Sequence, residues 1–199
     1  MKAMTGTPMV LAWAIAVGAG MTGMLRYQMT ASIEAQIVPG KWPDDASIQR
    51  DSHRATLVMM LHPQCPCSRA SLHELGELMA RADGRLDAQV LFIEPANAPA
   101  DWLNGDLWNQ AKAIPNVAVS IDKDGKDAAA FGATTSGQVA VYDASGTMRF
   151  KGGITAGRGH EGDNAGYLAI LSLIRDGSTQ VVATPVYGCS LQTPKADAK

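Results

Sequence analysis

The chain has 199 residues, of which 46% are hydrophobic and 18% charged, and its formal net charge is −2. This composition predicts one packed domain with appendages and excludes a largely disordered chain. The charge excludes a basic surface for nucleic acid, and three cysteines are too few for a disulfide-stapled scaffold. An odd number of cysteines instead predicts a pair and one extra thiol.

The first 26 residues predict a membrane segment. No charged residue lies between Lys2 and Arg26, and about 20 apolar residues at 1.5 Å each span a hydrocarbon core of roughly 30 Å. A cleaved signal peptide is the alternative, but no clean cleavage site follows. We predict that residues 1–26 form an uncleaved single-pass anchor in the inner (cytoplasmic) membrane. Lys2 then stays in the cytoplasm and the soluble part lies on the periplasmic, extracytoplasmic side, where disulfides persist.

The next stretch leads into the domain. Residues 27–54 contain two prolines and no sustained period, which is typical of a linker. The run "ATLVMML" (55–61) predicts a buried strand. Downstream, apolar residues recur with a helical period up to residue 82, and "AQVLFIEP" (88–95) predicts a second strand.

The following elements alternate in type. Residues 98–114 predict a helix interrupted near Gly105, and residues 115–125 predict a third strand with its turn. The segment "KDAAAFGA" predicts a short helix. Residues 137–154 read as two strands around "DASG", which predicts a hairpin.

The last helix closes the domain. Residues 163–177 are amphipathic, with Asp163 or Asn164 as the N-cap. The order β-α-β-α-β-α-β-β-α over residues 55–177 predicts an α/β domain with a mixed, mainly parallel sheet and helices on both faces. Residues 178–199 are predicted as a C-terminal tail.

The segment "HPQCPCSRAS" carries the candidate chemistry. Proline is favoured at the first position of a helix, so Pro66 places Cys65 at the N-cap and Cys67 in the first turn. The free N–H groups and the positive end of the helix then favour a thiolate at Cys65, with a lowered pKa. The site also follows a strand, where open α/β sheets place their active sites.

The chain resembles the thioredoxin-like superfamily in its redoxin or peroxiredoxin-like branch. The stretches "TLVMMLHPQCPCSRAS", "VAVSIDKDG" and "FGATTSGQVAVYDASGTMRFKGGI" carry this resemblance over roughly residues 50–177. The "HPQCPCSRAS" and "GGITAGRGHEGDNAG" stretches resemble membrane-anchored proteins of the RedB type. The resemblance implies a three-layer α/β/α fold and a thiol–disulfide oxidoreductase that acts on a protein partner without a bound cofactor. Cys65 would attack, and Cys67 would resolve the mixed disulfide.

The chain departs from that pattern at two positions. The usual motif separates its cysteines by two residues, whereas "CPC" has one between them. A disulfide in so small a ring is expected to be strained and easily reduced. With two residues between them, the partner of Cys65 would stand at position 68, which is Ser68, so a monothiol mechanism stays open. Gly137 stands where such proteins carry a cis-proline that discourages metal capture. We expect Gly137→Pro to lower any copper that the domain retains while leaving it folded.

Four further residues are possible accessories. Cys189 in the tail could fold back as a resolving thiol or belong to an unrelated terminus. Arg158 and His160, in a glycine-rich loop, could hold a thiolate or an anionic substrate. His62 stands three residues before Cys65 and could tune that thiol or only pack at the strand end.

Two other functions remain open. A copper-handling domain would use Cys65 and Cys67 together with His62, His160 or Cys189, because soft thiolates suit Cu(I). A peroxidase would need a threonine three residues before the reactive cysteine, where this chain has a histidine.

Overall fold

The computed structural model describes residues 6–32 and 39–191. Lys2, which is predicted to orient the membrane segment, lies outside the described residues. So do residues 192–199, the end of the predicted tail. The elements follow the predicted order after one N-terminal helix. They are α1 (Gly6–Met29), β1 (Ala55–Leu61), α2 (Ser68–Ala82), β2 (Leu86–Glu94), α3 (Asp106–Ala113), β3 (Val117–Lys123), α4 (Lys126–Ala130), β4 (Gln138–Tyr142), β5 (Met148–Gly153) and α5 (Ala165–Asp176).

The five strands form one sheet in the order β3-β2-β1-β4-β5. β1 pairs in parallel with β2, with Ala55 opposite Leu86, and antiparallel with β4, with Thr56 opposite Tyr142. Only β4 runs against the other four strands of this sheet, so the predicted mixed, mainly parallel sheet is confirmed. The C-terminal ends of β1, β2 and β3 meet at one edge, and the cysteine loop leaves β1 there.

The sheet separates two hydrophobic clusters, because side chains alternate between its faces along each strand. On β1, Leu57, Met59 and Leu61 face one cluster, which α2, α3 and α5 cover. Val58 and Met60 face the other, which α4 covers together with other segments. Helices therefore cover both faces, as the sequence predicts.

Two helix boundaries show how the local sequence acts. Asn164, not Asp163, caps α5, because its side-chain oxygen accepts a hydrogen bond from the Tyr167 N–H at 2.9 Å. The helix predicted over residues 98–114 is shorter, since α3 begins only after Gly105, its N-cap. Residues before Gly105 form successive turns instead.

Part of the predicted linker belongs to the folded domain. Trp42 packs edge-on against Phe131 at 5.0 Å between ring centroids and against Tyr142 at 5.2 Å. Ser47 donates through its backbone N–H and its hydroxyl to the buried carboxylate of Asp127. Residues 39–54 thus cover the second face of the sheet, which the five-residue α4 is too short to cover alone.

Helix α1 meets the length and composition of a membrane span over Pro8–Met29, with a mean hydropathy of 1.6. Within the part of the chain that the structure describes, it is the one helix that does so. No residue of its apolar window is buried against the domain. A signal sequence shares these properties, so the finding establishes an apolar N-terminal helix.

The tail runs back along β5 as far as the described residues extend. Lys151 on β5 donates to the Val182 carbonyl at 3.0 Å and accepts from the Thr184 N–H at 3.1 Å. A Cβ on Gly152 would lie 2.3 Å from the Thr184 carbonyl oxygen, so glycine is required for this approach. The tail therefore extends the sheet edge toward the cysteine loop.

Gly166→Ala is expected to destabilise the domain, although alanine normally stabilises a helix over glycine by about 1 kcal/mol. A Cβ at Gly166 would lie 2.0 Å from the Gly153 carbonyl oxygen, a backbone atom that cannot move aside without shifting β5. The matched control is Gly76→Ala in α2, where the nearest atom lies at 3.9 Å and a stabilising change is expected. Urea unfolding midpoints of the full chain in detergent check both signs. A higher midpoint for Gly166→Ala would contradict the packing described for α5.

Candidate functional site

The cysteine loop forms a tight turn before α2. The Cys65 N–H donates to the His62 carbonyl at 3.1 Å, and the Ser68 N–H donates to the Cys65 carbonyl at 3.0 Å. The helix begins at Ser68 with Cys67 as its N-cap, so the prediction of Cys65 at the N-cap is wrong by two residues. The reason is that the Ser68 N–H bonds to the carbonyl three residues before it. The chain therefore forms a turn from Cys65 to Ser68, and the α-helical hydrogen bonds start only after it.

The structure brings Cys65 and Cys189 into contact. Their Sγ atoms lie 2.8 Å apart, although 124 residues separate them in the chain. Cys65 is buried, with 1% of its surface exposed, whereas Cys67 and Cys189 are half-buried. All three are free thiols. A partner can therefore reach Cys65 only if the tail that carries Cys189 moves.

Backbone hydrogen bonds hold the tail over the site. The Ser136 N–H donates to the Cys189 carbonyl at 2.8 Å, and the Leu191 N–H donates to the Thr134 carbonyl at 2.9 Å. A Cβ on Gly188 would lie 1.9 Å from the Ser136 carbonyl oxygen, so only glycine permits this approach. The tail thus pairs antiparallel with the loop that leads into β4.

The three thiols differ in acidity. Burial raises the pKa of Cys65, but hydrogen bonds outweigh it and lower the pKa on balance. The donors are the Cys189 thiol, the backbone N–H groups of Cys189 and Cys67, and the Ser68 hydroxyl. Burial, together with the bond that it gives to Cys65, raises the pKa of Cys189 to about 12. Burial and the charge of Cys65 also raise the pKa of Cys67. Cys65 is therefore the most acidic of the three thiols, and Cys189 is its hydrogen-bond donor.

Arg158 lies beside the thiols. Its guanidinium donates to the Gly188 carbonyl, directly before Cys189, and to the Ser32 hydroxyl at 3.4 Å. Its positive charge opposes the rise in the pKa of Cys67 and of Cys189. The Nε atom of Arg158 is buried without a hydrogen-bond partner.

The two histidines differ in their place. The His62 N–H donates to the Ser136 hydroxyl at 2.9 Å, and its ring packs edge-on against Trp102 at 4.9 Å. Burial lowers the pKa of His62, so it stays neutral near pH 7. His160 is exposed, and its Nδ1 lies 3.2 Å from the Arg158 carbonyl. His62 therefore shapes the loop around Cys65, whereas His160 lies outside the thiol cluster.

Solved structures share this fold at low sequence identity. An uncharacterized conserved protein from Geobacillus kaustophilus has a TM-score of 0.63 and 17% identity, and the match covers 84% of this chain and 99% of that chain. A hypothetical protein from Sinorhizobium meliloti 1021 has a TM-score of 0.61 and 16% identity, covering 80% and 97%. A thioredoxin-like protein solved in its oxidised form has a TM-score of 0.51 and 12% identity, covering 70% and 97%.

The fold is thioredoxin-like. No family model and no curated protein matches the chain. The closer resemblance to RedB-type proteins stays a prediction. At these identities the comparisons establish the fold alone, so the chemistry of this thioredoxin-like domain has to be argued from its own residues.

Gly137, which stands where the cis-proline of thioredoxin-like proteins is expected, has a backbone conformation that proline does not adopt. Gly137 has φ 87°, its N–H donates to the Met60 carbonyl at 2.8 Å, and no cis peptide bond occurs among the described residues. Proline fixes φ near −65° and has no N–H, so this geometry leads us to expect that Gly137→Pro destabilises the domain. The neighbouring Ser136 pairs with the tail instead.

Among residues 6–32 and 39–191, no group of three or more His, Cys, Asp or Glu side chains is arranged to hold a metal ion. The copper alternative stays a prediction that metal analysis tests.

The sequence missed two serines of this site. Ser68 and Ser136 are buried, with their hydroxyl oxygens 2.8 Å apart, and the Ser68 hydroxyl donates to the His62 carbonyl at 3.2 Å. Ser68 also helps to lower the pKa of Cys65. The usual cysteine spacing singles out Ser68 only as the position of a missing cysteine. The signal that could have found Ser136 is its place directly before Gly137, opposite the cysteine loop.

Proposed function

We propose that this protein is a membrane-tethered thiol–disulfide oxidoreductase that acts on protein thiols and disulfides outside the cytoplasm. The observation that carries the proposal is the 2.8 Å contact between the Sγ atoms of Cys65 and Cys189 at the edge of a thioredoxin-like sheet. The more acidic Cys65 is the nucleophile, and Cys189 is placed to resolve because it lies against the Cys65 sulfur. The charge of Cys65 that helps to raise the pKa of Cys189 is gone once Cys65 is in a mixed disulfide.

The exchange proceeds in two balanced steps. The Cys65 thiolate attacks one sulfur of a partner disulfide, which forms a mixed disulfide and releases a partner thiolate that takes a proton. Cys189 then loses its proton and attacks the Cys65 sulfur, which releases the second partner thiolate. The chain ends as a disulfide, oxidised by two electrons, and the partner ends as a dithiol. The same steps in reverse oxidise a partner dithiol.

The roles of Cys67 and Cys189 follow from position. The sequence proposes Cys67 as the resolving thiol, but Cys67 shares a tight turn with Cys65, and a disulfide between them closes a small ring. Cys189 approaches from a separate segment and carries no such restriction. We therefore assign resolution to Cys189 and leave Cys67 as a second thiol, whose pKa burial raises and Arg158 lowers only in part.

The tether and the compartment are part of the same proposal. Helix α1 supports a single inner-membrane span, and the anchored domain then faces the periplasmic side, where thiol pairs cycle through disulfides. The mass of membrane-extracted protein tests the tether. A mature N-terminus beyond Leu25 would show that the segment is a cleaved signal peptide.

Disulfide mapping of the oxidised full chain tests the chemistry. The chain is purified in detergent, oxidised with diamide and digested without reductant. We expect a Cys65–Cys189 peptide pair, exchange with a fluorogenic disulfide peptide, and loss of both in Cys65→Ser. No exchange, together with one equivalent of copper retained through purification, would overturn the proposal in favour of the copper-binding alternative.

A further inference from the structure

The end of the apolar helix lies directly against the thiol site. The Arg158 N–H donates to the Gln28 carbonyl in the last turn of α1 at 3.0 Å, and its guanidinium lies 5.1 Å from the centroid of the Tyr27 ring. A Cβ on Gly157 would lie 3.3 Å from the Gln28 carbonyl oxygen and 3.4 Å from the Met29 sulfur. The loop after β5 is therefore packed on the helix end.

The chain that leaves α1 also holds the tail. The Ser32 N–H donates to the Val186 carbonyl at 2.9 Å, and its hydroxyl donates to the Gly188 carbonyl at 2.9 Å. The Gly188 N–H returns a bond to the Ser32 hydroxyl at 3.4 Å. The residue directly before Cys189 is thus bound on both its N–H and its carbonyl by the segment that follows the helix.

Arg158 joins these contacts into one unit. It touches the Tyr27 ring, the Ser32 hydroxyl and the Gly188 carbonyl, and its charge acts on Cys67 and Cys189. One arginine side chain therefore separates the helix end from the thiols.

The length of α1 as a membrane span determines the depth at which the contacts around Arg158 lie. The 22 residues of Pro8–Met29 are about 33 Å long as a helix, which matches the hydrocarbon core. Arg26 and Tyr27 then lie at the interface, where basic and aromatic side chains are favoured. The apolar window of α1 has no buried residue, so the domain covers only the end of the helix and not its length.

We propose that the thiol site works at the membrane surface, and that its partner is a membrane protein whose reactive disulfide or dithiol lies at the level of the lipid headgroups. The proposal rests on the proposed function and on α1 as a span. The interfacial layer is only about 6 Å deep on each side of the core, so a partner cysteine close to its own membrane segment reaches the site without a long flexible arm.

Photo-labelling from the headgroup region tests the placement without using activity. The full chain is reconstituted into phosphatidylcholine and phosphatidylglycerol vesicles that contain a headgroup-diazirine lipid, and labelled peptides are mapped by mass spectrometry. We expect labels at residues 27–32 and 156–160, and about tenfold fewer at residues 84–87 and 115–117, which lie at the opposite edge of the sheet. Equal labelling of both edges would overturn the proposal.

Peptides whose disulfide lies at different distances from the membrane test whether the partner is a membrane protein. Two doubly acylated peptides carry the same disulfide, one about 3 and the other about 20 residues from the lipid, which corresponds to reaches of roughly 10 and 70 Å. The reduced full chain in the same vesicles is expected to reduce the short peptide within about threefold of the rate for the long one. A short peptide that reacts more than about tenfold slower would place the site away from the surface.

The two experiments separate the possible failures. If neither peptide nor a soluble disulfide reacts, the proposed function fails, whereas the labelling pattern still decides the placement. Tyr27→Ala, compared with Tyr27→Phe, adds a matched pair. Loss of the ring is expected to reduce labelling at residues 156–160, and the phenylalanine, which keeps the cation–π contact, is expected to preserve it. Equal labelling in the two variants would remove Arg158 as the link to the helix.

Discussion

Cys189→Ser is expected to accumulate mixed disulfides on Cys65, at about tenfold or more the level found in Cys67→Ser, because the positioned resolving thiol is missing. The Cys65 thiolate still attacks, and the serine hydroxyl still donates a hydrogen bond to it. The second step fails, since no sulfur is left at the contact that measures 2.8 Å in the native chain. Non-reducing gels and mass spectrometry of cross-linked partners measure the outcome.

Two controls make this result specific. Cys65→Ser is expected to trap no partner, because the nucleophile is absent. Cys67→Ser retains the Cys65–Cys189 pair and is expected to resolve as the native chain does. More mixed disulfide in Cys67→Ser than in Cys189→Ser would return the resolving role to Cys67. No mixed disulfide in either variant would contradict the oxidoreductase function itself.

Gly188→Ala is expected to detach the tail and to change two separate features of Cys65 alkylation. A Cβ there would lie 1.9 Å from the Ser136 carbonyl oxygen, so the segment with Cys189 cannot keep its place. Cys65 then loses the Cys189 donors that lower its pKa, and the midpoint of its alkylation rate moves to higher pH, toward the ordinary value of 9.0. The plateau rate rises at the same time, because Cys65 is no longer buried.

The size of the rate change reports how firmly the tail is closed. If closure stabilises the tail by more than about 1.4 kcal/mol, the native plateau is at least about tenfold slower than that of Gly188→Ala. Gly40→Ala is the control, since no atom lies within 4 Å of its Cβ position, and it is expected to leave both features unchanged. An unchanged midpoint in Gly188→Ala would show that the Cys189 donors do not set the acidity of Cys65.

The pKa of Cys65 is lowered, as the sequence predicts, but the cause differs from the one predicted. The sequence predicts a lowered pKa from the positive end of a helix, and the pKa is lowered. The helix, however, begins at Ser68, and the leading donor is the thiol of Cys189. Helix caps act through neighbouring residues, whereas this donor comes from 124 residues away. No local rule could have identified it.

The sequence by itself determined the elements and the sheet they form. The continuous apolar run of residues 57–61 predicts a strand buried on both faces, as observed. A polar cap at Asp163 or Asn164, together with Gly177, bounds the last helix. These features depend on residues a few positions apart, so they can be predicted from the sequence alone.

Only the tertiary structure decided the composition of the site. It packs residues 39–54 on the sheet, brings Cys189 to Cys65, and sets Arg158 between the helix end and the thiols. These contacts join segments that share no local pattern, and they depend on close backbone approaches at Gly152 and Gly188. A glycine in the sequence signals only that a side chain is absent, and the carbonyl that fills its place becomes known once the chain is folded.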